Sequence, residues 1–288
     1  MTKRTKEKTK TAMNKAFLTI ISALLLVSCN QSGSTSSTPK DEASTPSSQA
    51  APMVRKPISF SGTFYQITCL GRPDIVFTEG DYSIEAEGPE NVFNAIKVNV
   101  DSNVLTISIE NEELLGLEQF HDGSPVTLYV SCPSLQTLAM CGSGNFRAVG
   151  TIHNEEMHVG NLGTGAIELD TVVTTGKFKY ECSDDGNAVF RHVRVAQDCK
   201  LLLSGSGNTT ADVDVVGQLI VQNDYKGNVS VSGKAKTADV TLLEDCNCVA
   251  AFDADQLILS AIRGNVVLKG KYAHKDIHQG KNAKISFK

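Results

Sequence analysis

Tryptophan is absent from the 288 residues, and tyrosine and phenylalanine number only six and eleven. A sugar platform built on exposed aromatic rings therefore gains no support from composition. No apolar stretch is long enough for a membrane-spanning helix. The run Ala16 to Val27 has twelve residues, against the ~20 needed to cross the hydrocarbon core. His-Glu-x-x-His does not occur, and the histidines at 121, 153, 158, 192, 274 and 278 show no metal-ligand spacing. Gly-x-Gly occurs at 142–144, 163–165 and 205–207. The third glycine of a dinucleotide fingerprint is missing each time, its place held by Arg147, Glu168 and Thr210. Ser143 and Ser206 lie in Gly-Ser-Gly, not in the Gly-x-Ser-x-Gly of a nucleophile elbow. No catalytic residue, metal site or cofactor is expected.

What the chain has instead is a repeat. Gly-Asn stands at Gly144-Asn145, Gly186-Asn187, Gly207-Asn208, Gly227-Asn228 and Gly264-Asn265, with near matches at Gly165-Ala166 and Cys246-Asn247. Successive pairs are 18 to 21 residues apart, the signature of a solenoid whose repeats stack as coils. One residue after the pair come Phe146, Ile167, Ala188, Thr209, Val229, Cys248 and Val266; two residues further come Ala148, Leu169, Phe190, Ala211, Val231, Ala250 and Leu268. Seven residues before the Asn position stand Leu138, Val159, Tyr180, Leu201, Val221, Val240 and Ile258. Alternation with period 2 marks strands with one face inward. The expectation is an all-β protein, a β-helix or solenoid of about seven coils over residues ~134–270. The pairs would form its bends, because Gly takes positive φ freely and Asn tolerates the left-handed region. Stacked Asn side chains about 4.8 Å apart would pass amide hydrogen bonds along the pile.

The outward column between the apolar ones reads Arg147, Glu168, Val189, Thr210, Ser230, Val249 and Val267, polar at first and apolar at the end. The tail 271–288 is expected to cover its apolar half, with Ile277, Ile285 and Phe287 as anchors. Asp184-Asp185 and Glu244-Asp245 occupy bends three coils apart, too far to share an ion. Seven cysteines follow Cys29, an odd number with no two in one column of adjacent coils, so no disulfide is assigned.

The N-terminus has its own grammar. Lys3, Arg4, Lys6, Lys8, Lys10 and Lys15 precede the apolar run, which ends in Leu26-Val27-Ser28-Cys29. This order resembles a bacterial lipoprotein signal. Residues 1–28 would be removed and Cys29 lipidated, with the membrane as partner through that lipid. Cleavage would remove six basic residues and one acidic residue, leaving 21 against 31 and a formal charge of about −10. Such a chain is a poor nucleic-acid binder. Residues 29–57, rich in Ser, Thr, Pro and Gln, read as a flexible tether. Residues 58–133 carry short strands separated by turn chemistry at Gly71-Arg72-Pro73 and Asp101-Ser102-Asn103, and are expected to pair locally and cap the first coil.

Phe64-x-x-Ile67, Val104-Leu105-Thr106-Ile107, Cys132-Pro133-Ser134-Leu135 and the Gly-Ser-Gly-Asn at 142–145 and 205–208 resemble the GIN-domain family (DUF2807) over residues about 60–270. The family is named for an autotransporter adhesin head. The resemblance implies a β-helical domain, here 58–288, on an envelope lipoprotein of the outer membrane. It brings no catalytic residues. The ligand, a surface glycan or protein, is not readable. A polysaccharide-cleaving β-helix is the alternative, and would need acid and base groups converging on one outer face. Only Glu168 and Arg147 offer charge in the outward column.

Overall fold

The computed structural model of the chain describes residues 52–110 and 126–288. The signal segment, Cys29, most of the tether, His121 and the acidic stretch 111–123 lie outside the described residues. There is no α-helix among the described residues; one short 3-10 helix spans Glu90–Ala95.

The N-terminal region supplies β1 (Met53–Pro57), β2 (Gln66–Leu70), β3 (Asp74–Glu79), β4 (Ser83–Pro89), β5 (Ile96–Asp101), β6 (Val104–Ile109) and β7 (Thr127–Cys132). The repeats follow as β8 (Thr137–Cys141), β9 (Phe146–Asn154), β10 (Met157–Asn161), β11 (Ile167–Thr174), β12 (Phe178–Cys182), β13 (Ala188–Val195) and β14 (Cys199–Leu203). Four long strands complete the chain: β15 (Thr209–Asn223), β16 (Val229–Leu242), β17 (Asn247–Leu268) and β18 (Tyr272–Phe287).

From Thr137 to Phe287 the chain winds about eight three-sided turns of parallel β-structure. One side stacks β8, β10, β12 and β14 in register, so that Leu138, Val159, Tyr180 and Leu201 point inward one above the next. After the bend, β9, β11 and β13 form the second side, then turn a corner to form the third. Gly150, at φ 85, sits at that corner in β9, where one extra residue is absorbed before pairing with β11 resumes. The step between equivalent residues falls from 21 (Thr137 to His158) to 18 (Ile258 to Asp276). As the corners tighten, strands that were separate in early turns run together, which is why β15 to β18 are long. Each fully enclosed Leu, Ile or Phe of this core contributes about 1.5–3 kcal/mol, and Val, Ala and Cys fill most of the remaining inward positions.

The short-strand region does cap the first turn, and it does so by prolonging the parallel ladder. β2 pairs with β8 and β3 with β9; β6 and β7 then add a further layer on β2 and β3. Antiparallel strands finish that end, β5 on β6, β4 on β7 and β1 on β4. Segment 66–79 is thus enclosed between strands that follow it in sequence.

Two expectations need correcting. The turns number about eight, not seven, because the tail does not lie over Val249 and Val267. It forms β18, paired in parallel with β17, so Val267 has Ser286 beside it in the next row. The tail does not show as a further turn in the sequence because Lys275 and Gln279 interrupt the apolar pattern at positions in register with the buried Leu257 and Ala261. Those two polar residues close the open end of the core: Lys275 Nζ lies 5.0 Å from the Phe287 ring centroid, and Gln279 Nε2 donates to the Ala283 carbonyl at 2.7 Å. Ile258 is also displaced from its expected column. Leu259 pairs with Val240 and is buried, while Ile258 stands in the outward row beside Asp239. The late turn is shorter, so counting back seven residues from Asn265 overshoots by one.

Candidate binding surface at the Gly-Asn bends

The bends are drawn tight by contact between neighbouring turns. At Gly207 a Cβ would overlap the Gly186 carbonyl oxygen below it, and at Gly165 it would overlap that of Gly144. Gly144 and Gly227 meet the carbonyls of Pro73 and Gly207 in the same way. At Gly186 the obstacle is the Asn161 side-chain nitrogen, with the Gly163 and Gly165 carbonyl oxygens 2.6 Å away. Among the paired glycines only Gly264 has positive φ, at 85°. The reason for glycine is therefore stacking distance, not the left-handed backbone conformation.

On the outer side of the bends the structure brings Asn145, Asn187, Asn208, Asn228, Asn247 and Asn265 into one exposed row, with Ala166 between the first two. Asn208 Nδ2 donates to Asn187 Oδ1 at 3.2 Å, Asn228 to Asn208 at 2.7 Å, Asn247 to Asn228 at 2.8 Å and Asn265 to Asn247 at 3.0 Å. Backbone amides join in, Asn208 N to Asn187 Oδ1 and Ala166 N to Asn145 Oδ1, both at 2.8 Å. Asp74 of the cap ends the row, accepting Asn145 N at 2.7 Å and Asn145 Nδ2 at 3.1 Å.

The inner side of the same bends carries a second set of asparagines that sequence reasoning missed. Asn161 and Asn223 are fully buried and donate to the bend carbonyls four residues on, Gly165 at 2.8 Å and Gly227 at 2.6 Å. Asn223 Oδ1 also accepts from Tyr225 N at 3.1 Å. Cys182, in the same column, makes a weaker contact to the Gly186 carbonyl at 3.5 Å. The signal was available as Asn at bend carbonyl minus four, but it appears in only two turns and so has no period.

Beside the outer row runs the column of Arg147, Glu168, Val189, Thr210 and Ser230. Glu168 is ion-paired. Arg191 donates to it at 3.0 Å and also reaches Asp170 at 3.4 Å, so one guanidinium neutralises both acids. Further along, Asp212 accepts the Ser232 hydroxyl at 2.8 Å and lies 3.2 Å from His192 Nδ1. Asp185 accepts the Ser206 hydroxyl, and Glu244 pairs with Arg263 at 3.2 Å. Among the described residues, no three His, Cys, Asp or Glu side chains are grouped to hold a metal ion. The seven described cysteines are unbridged. Burial pushes the thiols of Cys199 and Cys248 up to about 12 and those of Cys132 and Cys246 to about 11, which keeps them protonated and unreactive.

A family model described as "Putative auto-transporter adhesin, head GIN domain" matches residues 63–191, the cap and the first three turns. That span is narrower than the 60–270 expected from motifs, and the turns beyond it continue the same ladder. Nothing among curated proteins matches the chain. Solved structures do. A "putative lipid binding protein" from Parabacteroides distasonis ATCC 8503 has 19% identity and a TM-score of 0.55, with 82% of this chain and 96% of that one covered. A "putative adhesin" from Parabacteroides merdae ATCC 43184 has 14% identity and a TM-score of 0.50, with the same coverage of the two chains. At such identities the likeness concerns the fold.

Proposed function

With residues 63–191 matching the head GIN domain family as its premise, we propose that this chain is a non-catalytic binding protein of the cell envelope. In this reading it is held at the membrane by a lipid on Cys29 and presents the side of its solenoid to a surface ligand. One observation carries the binding role. The bends align an exposed row of amides with a column of mixed polar side chains, a rigid surface repeating at strand spacing. The family description and the adhesin-named structural neighbour support the same reading. Fold alone does not assign function, so the argument against catalysis rests on the site. Glycoside cleavage wants two carboxyl groups with different protonation states facing a cleft, whereas the Glu168 and Asp170 pair is bridged by Arg191.

The anchoring part rests on the ordered basic, apolar and Leu-Val-Ser-Cys segments. Envelope fractionation of the wild type and Cys29→Ala, with mass spectrometry of the N-terminus, tests it. Unmodified protein retaining residues 13–28 would refute it. For the binding role, the intact protein is screened against glycans and matrix proteins beside a polysaccharide turnover assay. Binding without turnover is the expected result. Turnover lost in Glu168→Gln would instead establish the cleaving enzyme.

A further inference from the structure

The outer asparagine row is broken once, and the break coincides with a cleft. At Ala166 the side-chain amide is missing, and a surface depression of about 440 Å³ opens there, lined by Val76 and Ala166 with Asp74, Asn145, Arg147 and Glu168. That size falls within the ~300–1,000 Å³ of small-ligand sites. The row has a constant polarity: the Nδ2 of each asparagine points to the Oδ1 of the preceding turn. Asn187 follows Ala166, whose side chain offers no oxygen, and the Asn187 Nδ2 donates to no described residue. Arg147, on the rim, makes no ion pair among the described residues although Glu168 is its neighbour in the next row. Glu168 is turned to Arg191.

The cleft thus holds a guanidinium with no ion pair among the described residues beside the Asp74 and Glu168 carboxylates, and Asn187 occupies the outer row one turn beyond Ala166. A guanidinium fork suits a carboxylate, and the amide and acid oxygens suit hydroxyls. We propose that the gap at Ala166 is a binding site for a uronate unit of an acidic polysaccharide. The sugar carboxylate pairs with Arg147, and its hydroxyls lie between the Asn187 amide and the Asp74 and Glu168 oxygens. This deepens the binding role proposed above and rests on it.

Filling the gap tests the site. Ala166→Asn supplies the missing amide and closes the row, so it should weaken binding without unfolding the protein. The intact wild type, Ala166→Asn and Arg147→Gln are titrated by calorimetry with trisaccharides of galacturonate, glucuronate and mannuronate, and with the methyl ester of the first. At least one uronate should bind the wild type, with the ester and Arg147→Gln weaker by about tenfold or more through loss of one charge-assisted pair, and Ala166→Asn weaker by a similar factor because the gap is filled. The melting temperature of Ala166→Asn should match or exceed that of the wild type. Absence of binding by every uronate overturns the proposal, as does equal binding of the ester or undiminished binding by Ala166→Asn. If Ala166→Asn keeps whatever ligand the glycan and matrix screen finds, the site is wrong while the display role stands. Cleavage of a bound trisaccharide overturns the display role instead.

Discussion

Outside the bends, Asn208 and its neighbours form an exposed chain of amides; inside, Asn161 and Asn223 are sealed from water and each holds a bend carbonyl. Both sets satisfy hydrogen bonds at the same corner of the fold, yet the consequences of losing them differ. An exposed amide that loses its neighbour is rehydrated. A buried carbonyl that loses its donor has no substitute, and the full desolvation cost of the group remains. The outer row is continuous and repeats with the turn, so it dominates the sequence pattern. The inner pair is sparse and hidden in it. Frequency in the sequence therefore ranks these residues in the opposite order to their expected weight in stability.

The glycine between the two rows should outweigh both. In Gly207→Ala the new Cβ meets the Gly186 carbonyl of the turn below, backbone that can yield only if the stack opens. A loss of about 3 kcal/mol, the upper range for overpacking, is expected by chemical denaturation. A loss near 1 kcal/mol would mean that the turns are less closely stacked than their register implies. It would also blur the division between the two sides of the bend.

Next comes Asn223→Ala, which removes the donor to Gly227 and the acceptor for Tyr225 N in one change. About 2 kcal/mol should be lost, in line with an unsatisfied buried group. The melting temperature should fall with it. Asn208→Ala removes links on both sides, to Asn187 and from Asn228, yet should cost only about 0.5 kcal/mol because water reaches the freed groups. Equal costs for Asn223→Ala and Asn208→Ala would dissolve the comparison. That outcome would show the outer row behaving as a cooperative network and not as a string of solvated pairs.

These contrasts explain what could be read from sequence. The stacking of turns was legible because Leu138, Val159, Tyr180 and Leu201 recur at a constant interval of 21 residues and only a solenoid buries such a column. The outer row followed from the same interval. Three features were not legible, each for a physical reason. Glycine is required by a neighbour 20 or so residues away, and the sequence does not reveal that distance, so local φ looked like the cause. The placement of β2 and β3 between β6 and β7 on one side and β8 and β9 on the other depends on non-consecutive pairing. The last turn hides itself, because an end coil replaces inward apolar residues with Lys275 and Gln279 to meet water.

The smallest expected effect is the most informative about the outer side. Ala166→Asn adds a side chain where Asn145 Oδ1 already accepts from the Ala166 backbone and Asn187 Nδ2 has no acceptor among the described residues. The new Oδ1 would stand one strand spacing below Asn187, and the new Nδ2 one spacing above Asn145, as elsewhere in the row. Nothing buried is disturbed, since the site opens to the surface. The gain of up to two amide links is offset by the ordering of one more side chain. Stability should therefore change by no more than about 0.5 kcal/mol, the range of ordinary surface substitutions, and in the favourable direction. If the melting temperature falls clearly instead, Ala166 is there because the turn is too close for a larger residue. The break in the row would then be a packing requirement and the cleft beside it a by-product.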